Sequence, residues 1–404
     1  MIHGKHILTT LVLCFALPAS ARSQAVIHYS VDELTRVREA LKSGDREAGR
    51  FADALLKRGK KALKAVPKSI TTKEAIPPSG DKRDYMSQGR YWWADPSKPD
   101  GLPYIRRDGE TNPEIERMPD HTLLNETIHQ VQVLTLSYVL SGEAAYAKKA
   151  VEFLKVWFLD DSTRMNPNMN FAQGIPGRSA GRGVGIIDGR RFSSLTDVVT
   201  ILASSPEMNS DETTKLRRWF SEYYDWLRNS KNGKDEEDAR NNHGTWYDVQ
   251  AASIALFLGK NEDARGILNR AKEKRIAAQI EPDGSQPEEL ARTVSWDYSL
   301  FNLEAHFLLA SLGDRAGVDL WKYETSDGRS LRKALDWLLP VFRGERKWTH
   351  KQIRKISFER LCPLLMEAGE RFGNGQYRAD AERLSCMRGW STAVPLNWKS
   401  LIHY

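Results

Sequence analysis

An amide, an imidazole, a guanidinium and a phenol, at Asn242, His243, Arg292 and Tyr298, are the side chains here best suited to act together. They fall in two segments, Asn241-Asn242-His243-Gly244-Thr245-Trp246 and Arg292-Thr293-Val294-Ser295-Trp296-Asp297-Tyr298. The set suits removal of a hydrogen α to a carboxylate. That hydrogen is acidic enough only if the carboxylate's charge is masked, and preorganised donors such as Asn242 and Arg292 can mask it. A base must then take the hydrogen and an acid must protonate the leaving oxygen, parts that Tyr298 and His243 fit. On a uronic acid chain these steps amount to β-elimination across C5 and C4.

Each segment also has an ordinary structural explanation. Asn241 or Asn242 would cap a helix beginning near Thr245, with His243 partly buried. Arg292 would pair with Glu288 or Glu289 while Tyr298 packs in the core. Arg292 and Tyr298 are six residues apart, so on one continuous helix they would face different ways. A helix that starts at Ser295 instead leaves Arg292 on the approach, free to swing toward Tyr298.

The elements that must position these groups are helical. Apolar residues at three- and four-residue spacing predict helices over 121–140, 144–157, 245–258, 262–278, 295–312, 331–341 and 351–371. Asn209-Ser210-Asp211-Glu212 caps another running to about Arg228, and Ser30 precedes one at Val31. Runs of alternating β-branched residues are scarce, so a separate β-domain is not expected. Helices of similar length joined by short Gly turns read as stacked hairpins, and no clean repeat period supports an open solenoid. The expected fold is therefore all-α, an incomplete α/α toroid. In such a toroid helices two apart share a layer, which sets the starts of the His243 and Tyr298 helices on one rim. Helix N-termini favour anions and would ease a tyrosine toward phenolate.

Two long stretches lack helical spacing. Residues 85–119 hold Tyr91-Trp92-Trp93 and the pair Arg106-Arg107; residues 160–191 hold Arg164, Gln173, Arg178 and Arg182. Loops of this length in a compact domain usually serve function or are disordered, and their aromatics and arginines favour function.

These residues carry a resemblance. Asn241-Asn242-His243, the segment from Arg292 to Tyr298, Tyr91-Trp92-Trp93 and the loop from Arg164 to Gly177 resemble the α-helical alginate lyases of polysaccharide lyase families five and thirty-eight, the latter more closely. The resemblance spans roughly residues 85–312. It implies a toroid without an appended β-domain, with Asn242, His243, Arg292 and Tyr298 neutralising the carboxylate and moving the protons. Arg and Tyr stand one residue further apart in the family-five pattern than here. Trp92, Trp93, Trp246, Gln173, Arg178 and Arg164 are further candidates for holding sugar, since aromatics stack on sugar rings and arginines bind acidic ones.

Composition bounds the rest. Sixty Lys and Arg against 53 Asp and Glu leave a net charge of +7, which suits an acidic polysaccharide partner. The basic residues are spread along the chain, so nucleic acid is not an expected partner. Lys5 and His6 precede an apolar run and small residues, so residues 1–25 read as a signal peptide leading to the periplasm or outside. Residues 26–404 would form one catalytic toroid with no membrane insertion. Cys14 lies inside the run, leaving Cys362 and Cys386 as one disulfide or two buried thiols. No His-Glu-x-x-His or clustered Cys/His spacing occurs, so neither a metal nor another cofactor is expected. Two other activities stay open. An α/α-barrel glycoside hydrolase would need carboxylates about 6.5–9.5 Å apart, drawn from Glu288, Glu289 and Asp297. A non-catalytic glycan-binding protein would need no such pair.

Overall fold

The structure, a computed structural model, describes Tyr29, residues 31–384 and Val394. The expected signal peptide, Ser30 and Cys386 lie outside the described residues. Helices dominate. In chain order the first half holds α1 (Val31–Lys42), α2 (Arg46–Leu63), α3 (Asp120–Ser141), α4 (Ala144–Leu154), α5 (Phe192–Leu202) and α6 (Ser210–Asn229). The second holds α7 (Lys231–Glu237), α8 (Asn242–Leu258), α9 (Asn261–Ala271), α10 (Pro287–Leu290), α11 (Ser295–Ala316), α12 (Leu331–Arg343), α13 (Leu361–Phe372) and α14 (Gly375–Glu382).

Two layers follow from how much of each helix the sequence lets it bury. Every residue of α5 is buried, and α8 is buried on all sides from Gly244 to Ala255. Such helices have no polar face to offer water and must sit inside. By contrast α6 buries one stripe, Leu216, Trp219, Phe220, Tyr223, Tyr224 and Leu227, at the three- and four-residue spacing of an outer helix. The inner helices pack in order, α3 on α5, α5 on α8 and α8 on α11. Outside them α4 covers α3, α6 covers α8, and α9 leans on both α8 and α11. This is the alternating inner and outer arrangement of an α/α toroid. One contiguous apolar core runs through the described residues.

Strands are confined to the loops. β1 (Met86–Gln88) pairs in parallel with β4 (Phe171–Gly174), and β2 (Trp92–Trp93) pairs antiparallel with β3 (Ile105–Arg106). They pin the two long non-helical stretches to each other and to the rim. A buried ion pair anchors the same region: Lys73 Nζ lies 2.6 Å from Asp120 at the start of α3, and Asp120 also accepts from Met86 N–H.

The structure holds helices that the sequence reading does not give: α2, α5, α7, α10 and α14. α5 is apolar all round and rich in β-branched residues and so shows no amphipathic period, whereas α2 buries Phe51, Leu55 and Ala62 at ordinary helical spacing. The helix expected from residue 351 begins only at Leu361, as α13. The preceding segment is extended instead: Gln352 bridges to Val294, and the Lys351 carbonyl accepts from Ser295. Cys362 is disulfide-bonded, which removes the free-thiol option for it. Among the described residues no helix is long and apolar enough to cross a membrane.

The approach to α8 is held from beneath. Arg275, fully buried, donates from Nε to Asp248, from Nη1 to the Ala239 carbonyl and from Nη2 to the Glu237 carbonyl. Gly244 is required there, since a Cβ would sit 2.2 Å from the Ala239 oxygen and 2.5 Å from Arg275 Nη1. Arg275→Leu strips buried Asp248 of its closer partner, leaving Arg270 at 3.5 Å, and leaves two carbonyls unpaired. It should lower the unfolding free energy by about 3–5 kcal/mol. Urea denaturation of the variant measures this, and a loss under about 1 kcal/mol would show that water reaches these groups.

Candidate active site

α8 opens at Asn242 because Asn241 caps it, its Oδ1 accepting from His243 N–H at 3.1 Å. Asn242 is thereby free of capping duty and stands in the first turn, fully buried. Its backbone N–H donates to Glu289 at 2.6 Å, and its Nδ2 reaches both Glu289 oxygens at 3.1 and 2.9 Å. Burial raises Glu289 to about 7, against the opposing pull of those hydrogen bonds and of Arg292 and His243.

His243 Nδ1 lies 2.7 Å from Glu236 Oε1. An ionised carboxylate only accepts, so it selects the tautomer protonated at Nδ1 and leaves the Nε2 lone pair available. Glu236 itself is 1% exposed, although a charged run such as residues 235–240 is ordinarily solvated. The difference arises because α7 packs against both α8 and the 3₁₀ turn Gly183–Gly189.

Arg292 does approach Tyr298 from outside the helix. α11 starts at Ser295, and the guanidinium carbon sits 3.7 Å from the centre of the Tyr298 ring. Its ionic partner is neither Glu288 nor Glu289 but Asp108, at 2.7 Å from Nη2 and 3.2 Å from Nε. Asp108 also accepts from Thr293 N–H and Oγ1. Burial works to raise this carboxyl, yet these donors and the guanidinium's charge hold it well below the usual carboxylate range. The Tyr298 hydroxyl is 2.9 Å from that of Tyr91. Its phenol is pushed well up, by burial first and by Tyr91 next, beyond what Arg292 recovers. The helix N-terminus therefore does not make a resting phenolate, contrary to the sequence expectation; desolvation is the larger effect.

These four residues line one cleft of about 490 Å³, a size suited to a few sugar rings. Among the described residues, Arg90, Arg106, Arg182, Arg190, Arg292, Arg354 and Arg360 line it, against Asp188 and Asp297. Asp188 is already committed, accepting from Tyr85, Ser87 and Gln173. Arg106 and Arg292 share Asp108 and Arg360 pairs with Glu304, and the walls remain cationic on balance. Gln173 lines the cleft in a left-handed conformation, φ 48°, that a side chain adopts only under constraint. Its backbone N–H is tied to Ser87 Oγ and its Nε2 to Asp188.

The remaining candidates divide. Trp92 lines the cleft and Trp93 does not, since successive residues of a strand point to opposite faces. Trp93 instead donates to the Glu110 carbonyl beneath the Arg107 guanidinium. Arg178 stands outside the cleft, its guanidinium 5.3 Å from the Trp92 ring and its Nε donating to the Tyr104 carbonyl. Trp246 is buried behind the wall, 5.0 Å from the ring of Phe301, which lines the cleft. Arg164 is away from it, paired with Asp161 at 3.3 Å. Tyr91, Asp108, Glu236, Arg106 and Arg354 escape the sequence reading. Only Tyr91 and Arg106 had a local signal, in the aromatic triplet and the basic pair. The carboxylates a hydrolase would need are not assembled: Glu288 is exposed, Glu289 is buried against Asn242, and only Asp297 lines the cleft.

The family model described as alginate lyase matches residues 69–348. Among solved structures, an alginate lyase from Bacteroides ovatus is similar over 94% of this chain and 99% of its own, at 37% identity and a TM-score of 0.86. Alginate lyase A1-III from Sphingomonas species A1 shares the fold over 95% of this chain and 98% of its own, at 21% identity and a TM-score of 0.57. A variant of A1-III complexed with a tetrasaccharide is similar at 20% identity over 89% of this chain and 90% of its own, TM-score 0.56. No curated protein matches the chain.

The depressed ionisation of Asp108 makes its bridge pH-sensitive. A carboxyl held below its unfolded value of about 3.9 contributes stability that is whole above that pH and is lost as pH falls below it. Melting temperature followed from pH 7 to pH 3 should fall less steeply for Asp108→Asn than for the parent. Parallel curves would show that Arg292 gains nothing from this carboxylate.

Proposed function

We propose, for a chain that belongs to the alginate lyase family and is a polysaccharide lyase acting on alginate, the following division of labour among its own residues. The observation that carries it is the Arg292 guanidinium held 3.7 Å over Tyr298, at the start of a helix packed against the one that begins with Asn242 and His243. Arg292, as a fixed donor, and Asn242, through its amide NH₂, mask the substrate carboxylate without a metal or other cofactor, and the C5 hydrogen becomes removable. Tyr298, a neutral phenol at rest, delivers a proton to the departing C4 oxygen. His243, its Nδ1 occupied by Glu236, offers Nε2 as a base. Electrons from the C5–H bond form the new double bond as the C4–O bond breaks, leaving a 4,5-unsaturated end.

The arginine-rich walls and the Trp92 face suit an acidic sugar chain, and Gln173 shapes the same wall. Trp246 and Arg178 support that wall from behind. The apolar run near the N-terminus supports export to the periplasm or beyond, and the single core supports reading residues 26–404 as one catalytic unit.

Tyr298→Phe keeps the ring and loses the proton. It should bind substrate while turnover falls by several orders of magnitude, as for a group acting mainly in the transition state. Arg292→Ala should cost roughly 10²–10³-fold in turnover. Absorbance of the new unsaturated ends reads both, and a folded Tyr298→Phe protein with parental turnover would sink the assignment. A chelator that abolished activity, with calcium restoring it, would move charge masking to a metal.

Stereochemistry separates the two proton carriers. In mannuronate the C5 hydrogen and the leaving oxygen share a face, so one phenol can serve as base, once ionised beside Arg292, and then as acid. In guluronate they lie on opposite faces, and a second group must be the base. His243→Ala should therefore lose more activity on guluronate blocks than on mannuronate blocks, whereas Tyr298→Phe loses both. Equal losses for His243→Ala on the two block substrates would deny it a separate base role.

A further inference from the structure

Asn242 is turned the wrong way to receive a carboxylate. Both Nδ2 contacts go to Glu289, and Oδ1, an acceptor, is buried with no hydrogen-bond partner in a residue that lines the cleft. A uronate carboxylate also only accepts, so it finds no donor in this amide. An ionised Glu289 enforces the arrangement, because two acceptor oxygens demand the NH₂ side of Asn242. A protonated Glu289 permits another. Its O–H can donate to Oδ1 while its second oxygen keeps the Asn242 backbone N–H, now held at 2.6 Å. The amide, turned over, then presents Nδ2 to the cleft, and the orphaned Oδ1 is satisfied.

We propose that Glu289 is a positioning residue that sets Asn242 by its protonation: the substrate carboxylate is received when Glu289 takes up a proton and the amide turns over. The inference rests on reading the cleft as a uronate site. Burial that raises Glu289 to about 7 puts the protonated form within reach near neutrality. The charged and titratable groups around it are Arg292 on its own segment, His243 on α8 with Glu236 behind it, and Asp297 and Tyr298 on α11, which packs against α10. Arg292 and a protonated His243 oppose proton uptake. An arriving carboxylate adds negative charge and favours it. The sign follows: affinity is full below the free Glu289 value and falls as pH rises through it, because each bound substrate then draws a proton from solvent.

The test uses the Tyr298→Phe protein, which binds without turnover and has no phenol to titrate. Its affinity for a saturated mannuronate tetrasaccharide is measured by calorimetry from pH 6 to pH 9, in buffers of different ionisation heat. Affinity should weaken by up to about tenfold per pH unit above neutrality, with close to one proton taken up per ligand at pH 8. Glu289→Gln, in the same background, mimics the protonated acid: its Nε2 can donate to Oδ1 and its Oε1 can accept the backbone N–H. It should bind with an affinity flat within about twofold and take up no proton. A flat parental profile overturns the proposal. So does proton uptake that persists in Glu289→Gln, which would belong to His243. Should that variant fail to fold, the same count in a His243→Gln background decides: uptake retained supports Glu289, and uptake lost overturns it. Absence of binding by every folded protein at every pH would instead remove the uronate reading, and this inference with it.

Discussion

Asp108 accepts from Arg292 Nε and Nη2 and from Thr293 N–H and Oγ1, and through these bonds the long loop of residues 85–119 is fastened to the start of α11. The consequences spread outward. Arg292 cannot rotate away from the Tyr298 ring while two of its nitrogens are held, so guanidinium and phenol are aligned before any ligand arrives. The same loop carries Tyr91 to the Tyr298 hydroxyl and Trp92 to the cleft wall. Arg354 adds a second tie, donating to the Gly109 carbonyl beside Asp108. A cleft made of loop and helix thereby behaves as one preorganised surface.

Desolvation sets the chemistry of this surface more than any single charge does. It raises the phenol of Tyr298 although Arg292 lies against the ring, and it raises Glu289 although three hydrogen bonds and the Arg292 guanidinium oppose it. Both groups are thus held in, or near, their protonated forms inside a cleft whose walls are cationic. A protonated phenol suits delivery of a proton to a leaving oxygen. The wall arginines other than Arg292 meanwhile give the cleft a long-range attraction for a polyanion. Under the proposed mechanism, acid function and charge attraction fall to different residues.

The toroid makes this division possible. Inner helices α8 and α11 pack side by side, so residues in their first turns meet at one rim. Beneath them Gln279 gathers Thr245, Asn302 and His306 around its Oε1, and its Nε2 donates to the Asn241 carbonyl. That buried network ties the cap of α8 to the body of α11. Within it only Asn302 Oδ1 lacks a partner among the described residues, and such networks rigidify the elements they join.

What the sequence determines by itself is local. Helix spacing, an asparagine cap at Asn241 or Asn242, the start of α11 at Ser295 and the scarcity of strands all depend on residues within a turn or two of one another. They yield the all-α fold, the shared rim, and the four side-chain types that face one cleft. What the sequence leaves open is settled by contacts between distant segments. Asp108 reaches Arg292 and Glu289 reaches Asn242 only because loops and helices far apart in the chain are packed together. No spacing rule could choose Asp108 over the nearer Glu288. Likewise Glu236 sits in a charged run that looks solvated, and only the packing of α7 buries it behind His243. Trp92 and Trp93 are indistinguishable as letters, and strand pairing with Ile105–Arg106 decides which faces the cleft. Residue types report what chemistry is available; burial and long-range ion pairs decide which proton each group keeps, because desolvation exists only once the chain has closed around it.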